Sequence, residues 1–172
     1  KMKHLLTSIL LLSFCSSAFA QIINYPDFSV APNLNLGGDA LINPANELQL
    51  RGQGQNQNGW AIHSVSFPSI LFTTEFDFSI GDQADQLHFV LQSTADSFPT
   101  EPLWTNALIV TLDHWDNGAG DISDNFVAVS VNDSVGTLVY HHQIAFTSID
   151  LDDGNVHNAK FEYDGHLLNV YF

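Results

Sequence analysis

The chain has 172 residues, with four Lys and Arg against nineteen Asp and Glu and a formal net charge of −15. So acidic a surface repels nucleic acid and anionic membranes and excludes both as electrostatic partners, while cations and neutral ligands stay open. The length suits one domain, and the single cysteine, Cys15, permits no internal disulfide, so stability rests on a packed core, with help from any bound metal.

Residues 1–20 read as a signal peptide. Lys1, Lys3 and His4 make a short basic start. Residues 5–14 are an apolar run too short to span a bilayer. Ala18 and Ala20 flank Phe19 in the small-x-small pattern of a cleavage site. Cleavage after Ala20 makes Gln21 the first mature residue and sends the domain, residues 21–172, out of the cell. Cys15 leaves with the leader, and Phe14 before it is too bulky for the usual lipidation motif. Arg51 and Lys160 then remain as the basic side chains of the mature chain.

Helical periodicity is nearly absent from the mature chain. Apolar and polar residues alternate instead over 34–41, 47–51, 60–67, 72–80 and 86–92, and again over 107–113, 126–131, 137–146, 158–163 and 167–172. In 72–80, Phe76, Phe78 and Ile80 fall on one face and Glu75, Asp77 and Ser79 on the other, the period of a half-buried antiparallel strand. Gly, Pro, Asn and Asp separate the runs, at Gly37–Gly38, 52–59, 99–102, 118–121, 133–136 and 152–154. Many short strands with turns between them predict an all-β sandwich or barrel. The apolar run 166–172 ends without a turn, so we expect further strands to complete the core.

The segment 111–121, TLDHWDNGAGD, carries the chemistry. It follows a buried strand and offers carboxylate, aromatic and amide at alternate positions: Asp113, Trp115 and Asn117. Asp116, Asp121 and Asp124 add acids. Calcium takes several oxygen ligands on a turn that can wrap around it. An aromatic ring beside fixed polar groups suits a sugar, which has a flat apolar face and a ring of hydroxyls. Other conspicuous residues have plainer readings. His141 and His142 are neighbours on a strand, point to opposite faces and do not share an ion. His157 and His166 fall at turns, and Trp60 and Trp104 read as packing residues. His114 is a weaker candidate for ligand contact, since imidazole suits calcium poorly.

These residues resemble the L-type lectin domain, the concanavalin-like sandwich of legume lectins and their bacterial relatives, from Phe28 to the end of the chain. LGGDA at 36–40 with ELQL at 47–50 is similar to the opening strands, and FDFSI at 76–80 to a following one. ADQLHFVL at 84–91 resembles the segment that carries the sugar-binding aspartate. VTLDHWDN at 110–117 and DISDNFVAV at 121–129 resemble the metal-loop segment and the strand after it. DGNVH at 153–157 and AKFEYD at 159–164 resemble a later strand entry.

The resemblance implies a concanavalin-like antiparallel β-sandwich, a jelly roll incomplete at its C-terminus. It implies a secreted, non-catalytic domain that binds a glycan or polysaccharide with the help of calcium. Metal ligands would be Asp113 and Asp121 through carboxylates, Trp115 through its carbonyl and Asn117 through its amide oxygen. The sugar would meet Asp85, the Asn117 amide and the Trp115 ring. A second, transition-metal site is expected to be lost, because Thr111 and Phe126 stand where the family has Glu and His. The peptide before the sugar-binding aspartate, Ala84–Asp85 here, is cis in the family, and Gln86 replaces the usual glycine after it. The family's glycine-bearing loop falls between Ser93 and Asn106, where this chain has no glycine. Two alternatives stay open: a structural or adhesive sandwich that has lost sugar binding, and a glycoside hydrolase of the same fold. The hydrolase needs two carboxylates on one strand face, but the matching window, 111–116, begins with Thr111.

Overall fold

The computed structural model describes residues 23–52, 57–63, 71–81, 84–93, 104–118, 120–146 and 148–172. The proposed signal peptide, residues 53–56 of the glycine-rich loop at 52–59 and residues 94–103 lie outside them. The described residues contain no helix and eleven strands, all paired antiparallel. β1 (Leu34–Gly38) pairs with β4 (Gly59–His63), and β2 (Leu41–Ile42) with β3 (Leu48–Gln49). β5 (Phe72–Phe78), β10 (His157–Tyr163) and β11 (Leu168–Tyr171) form a sheet in the order β11-β10-β5. β6 (Gln86–Gln92), β7 (Ala107–Asp113), β8 (Phe126–Asn132) and β9 (Leu138–Ala145) form a four-stranded meander. The expected all-β sandwich is present.

Its core lies between the last two sheets. β5 and β10 contribute Phe78, Ala159 and Phe161, and Ile80 follows β5. Val110, Leu112 and Val127 face them from β7 and β8, and Leu151 closes the core from the β9–β10 connection. The alternation on β5 is the one its sequence predicts: Thr73, Glu75 and Asp77 are exposed while Phe78 is buried. The opposite face of β10 carries Lys160, which lies 2.5 Å from Glu162 and over the Tyr171 ring. β7 is buried on both faces along nearly its whole length, which suits its unbroken apolar run. Trp104 packs near one of these faces. Its ring sits edge-on to His88, and its carbonyl accepts the Asn132 amide at 3.1 Å.

Among the described residues no strand pairs with the outer edge of β9, and Leu138, Val139, Tyr140 and Ile144 are each more than half exposed. His141 and His142 lie on it. His141 Nδ1 is 2.8 Å from the Ser130 hydroxyl. His157 departs from its expected place in a turn: it opens β10 opposite Phe78 and reaches back to Asp153 at 3.1 Å. The run at 34–41 is split by Gly38, whose φ of 61° turns the chain between β1 and β2.

Short acids build the turns. Asp27, Asp113, Asp116, Asp133, Asp153 and Asp164 each accept a backbone N–H two residues ahead. Side-chain hydrogen bonds from Ser29 and Asn155 and the Leu167 N–H, followed by these turn bonds, hold Asp27, Asp153 and Asp164 respectively below their ordinary values.

Gly59 marks the tightest approach of backbone to backbone. A Cβ there would run into the Leu50 carbonyl and the Ala40 amide, neither of which is the free end of a side chain. Gly59→Ala is expected to cost about 1–3 kcal/mol through overpacking. Gly81→Ala, where a Cβ meets open space, should stay within about 0.5 kcal/mol of the parent. Urea midpoints of the two variants measure the difference.

Candidate functional site

The β6–β7 pairing assembles the site at one end of the meander. Gln86 lies opposite Asp113, so Asp85, one residue before β6, meets the loop that leaves β7. The His114 amide donates to the Asp85 carbonyl at 3.4 Å. Asp113, at the end of β7, is only 3% exposed, and its Oδ1 accepts the Trp115 amide at 2.9 Å. The chain then turns. Asn117 N donates to Asp121 Oδ2 at 2.8 Å, and Gly118 N to Asp116 Oδ1 at 2.7 Å. Gly118 and Gly120 adopt φ of 89° and 137°, where other residues are strained.

Asn117 ties the parts together. Its amide nitrogen lies 3.4 Å from both Asp85 Oδ1 and the Trp115 carbonyl. Thus Asp85, Asp113, Trp115, Asn117 and Asp121, all singled out from the sequence, meet in one loop cluster. Trp115 is 55% exposed, so much of its surface is open to a ligand.

The electrostatics of the cluster are unbalanced. Burial raises Asp113 above the ordinary carboxyl value, and the like charges of Asp85 and Asp121 push it the same way. The Trp115 N–H and His114 pull against them. The donors fit calcium in kind, being carboxylate, amide and carbonyl oxygens. Among the described residues no three His, Cys, Asp or Glu side chains stand ready to hold a metal ion. The calcium set needs only two such side chains, because Trp115 and Asn117 supply carbonyl and amide oxygens.

Three neighbouring features differ from the family pattern or fill its positions otherwise. Every peptide of the described residues is trans, Ala84–Asp85 included. Thr111 is buried with its hydroxyl 2.9 Å from His88 Nδ1, and Phe126 is 2% exposed. Burial lowers His88 to about 4, against a weaker opposing pull from Asp85.

The sequence pointed less clearly to a second group. His114 is buried beside Asp152, with Nδ1 and Oδ2 3.4 Å apart. Asp150 and Asp152 meet through their side chains, and that contact, then burial, raises Asp152 despite the pull of His114. Residues 152–154 read only as a turn in sequence. The signal available was the dense acid run at 150–153.

The fold and this loop define an antiparallel all-β sandwich with an acidic, aromatic-bearing loop at one end of a sheet. No protein-family model and no curated protein matches the chain.

Proposed function

We propose that the chain is a secreted, non-catalytic carbohydrate-binding domain of the L-type lectin kind, supported by calcium. The observation that carries this reading is the meeting of Asp85, Trp115 and Asn117 beside the acids Asp113 and Asp121. Asp113, the Trp115 carbonyl, Asn117 and Asp121 would hold the ion. Calcium would neutralise the crowded carboxylates and fix the loop. Asp85 and the Asn117 amide would then bond sugar hydroxyls, and the Trp115 ring would cover an apolar sugar face. Residues 1–20 would direct export. Among the described residues no helix is long and apolar enough to cross a membrane.

A second reading, an adhesive sandwich without sugar binding, draws on the trans Ala84–Asp85 peptide. Calorimetric titration of calcium into chelator-treated protein separates the two. The lectin reading expects one site of micromolar or tighter affinity, lost in Asp113→Ala. At free calcium a hundredfold above Kd it expects about 2.7 kcal/mol of stabilisation. A glycan array then tests Asp85→Ala and Trp115→Ala for lost sugar binding. Absence of heat and of thermal stabilisation favours the adhesive reading.

A further inference from the structure

The sequence contains two Asn–Gly steps, Asn58–Gly59 and Asn117–Gly118. Asparagine before glycine is chemically labile in water. The glycine nitrogen attacks the asparagine Cγ, ammonia leaves, and a succinimide ring closes. Water then opens the ring to aspartate, or to isoaspartate with the main chain running through the side chain. Glycine favours the attack because no Cβ crowds its nitrogen.

The fold treats the two steps differently. Asn58 is pinned to Asp39 on both sides: its N–H donates to Asp39 Oδ2, and its carbonyl accepts the Asp39 N–H, each at 2.9 Å. Gly59 opens β4, pairs with Gly38 and sits against the Leu50 carbonyl and the Ala40 amide. The Gly59 nitrogen therefore reaches the Asn58 side chain only when β4 opens. Asn117 and Gly118 are exposed, and a Cβ on Gly118 would meet open space. The contacts of the Asn117 amide nitrogen are 3.4 Å long, at the weak end for a hydrogen bond. One firm bond restrains the nucleophile, from the Gly118 N–H to Asp116 Oδ1 at 2.7 Å. It lies in an exposed loop, where opening costs little.

We propose that Asn117–Gly118 is a self-modifying site, which deamidates spontaneously in the folded protein and thereby disconnects Asp85 from the loop. The Asn117 amide nitrogen is a donor placed between two acceptors, Asp85 Oδ1 and the Trp115 carbonyl. The product is a carboxylate, which only accepts. It faces a carboxylate and a carbonyl oxygen, and both repel it. Isoaspartate also adds a carbon to the main chain inside the turn. Either product drives the start of β6 and the loop after β7 apart. The inference needs neither calcium nor sugar.

The full chain, kept in chelator and warmed at mildly alkaline pH, is sampled over days and digested. Mass spectrometry reads each amide that has become an acid, and an isoaspartate methyltransferase reads the rearranged product. In the folded chain Asn117 should convert at least about tenfold faster than Asn58, because opening β4 costs more than opening an exposed loop. In urea the two rates should converge, since both steps are then unfolded. Asn117→Gln, whose side chain closes a larger and less favourable ring, should silence the site and leave Asn58 unchanged. Asn117→Asp supplies one product directly. Hydrogen exchange of the His114 N–H, which donates to the Asp85 carbonyl, should quicken in it while exchange in β10 stays as in the parent. Conversion at Asn117 as slow as at Asn58 in the folded chain overturns the inference. So does parent-like exchange at His114 in Asn117→Asp.

Discussion

Phe161→Ala should remove about 3–5 kcal/mol of stability, the cost of taking a large aromatic out of a packed core. Phe161 is fully buried on β10. It joins the two sheets, with ring centroids 5.5 Å from Phe76 on its own sheet and 5.2 Å from Phe89 on β6. Phe76 and Phe89 also stack on each other at 6.1 Å. Deleting the ring therefore opens a void between the sheets and unsupports two further aromatics. Domains of this size are stable by about 5–15 kcal/mol, so the variant should be marginal at room temperature. Urea unfolding measures the loss, with Leu138→Ala on the exposed edge as control, expected within about 0.5 kcal/mol. A parent-like midpoint for Phe161→Ala would contradict the packing of β10 against β6 through Phe161 and Phe89.

The second large effect is on acid stability. His88 is held at about 4 by burial, against an ordinary value of 6.5. Between those values the unfolded chain binds a proton at His88 and the folded chain does not. Falling pH therefore favours unfolding. The stability is complete above about pH 6.5 and drains away as pH falls toward 4, by about 3 kcal/mol in all. His88→Gln keeps a polar partner for Thr111 but cannot titrate. The parent should lose about 3 kcal/mol more than His88→Gln over that window when urea midpoints are followed against pH. Asp113 acts the other way, since a raised carboxyl value makes the fold gain on protonation. Its contribution is common to both chains and cancels in the difference. Parallel pH profiles for the two chains would show that His88 titrates as it does in water.

The fold class and the main site cluster were legible because both depend on local pattern. Phe76, Phe78 and Ile80 announce their face by spacing alone, and the run at 107–113 announces a central strand. The loop at 111–121 displays its oxygen donors in consecutive order, and strand pairing brings Asp85 beside it. What stayed hidden depends on which elements become neighbours. Residues 138–145 look like any other strand, yet β9 ends its sheet and is exposed on both faces, and neither strand order nor layer packing is written in a strand. The meeting of His114 with Asp152 is likewise tertiary: one follows β7, the other precedes β10, and no local pattern says that they become neighbours. The peptide before the corresponding aspartate is cis in the family, whereas Ala84–Asp85 here is trans.

The Asp-built turns change the meaning of the net charge. Of the nineteen acids only Glu47, Glu75, Glu101 and Glu162 are glutamates. Aspartate is favoured because its shorter arm reaches the amide two residues on, and a glutamate overshoots it. Much of the negative charge is thus a by-product of making corners in a chain of short strands. Asparagine has the same reach without the charge, as Asn43 shows by accepting the Ala45 amide at 2.9 Å. Corner-making and charge can therefore be varied separately in this molecule, one Asp-to-Asn exchange at a time. Exchanging the six turn aspartates would move the formal charge from −15 to −9 (−15 + 6) with the same turns.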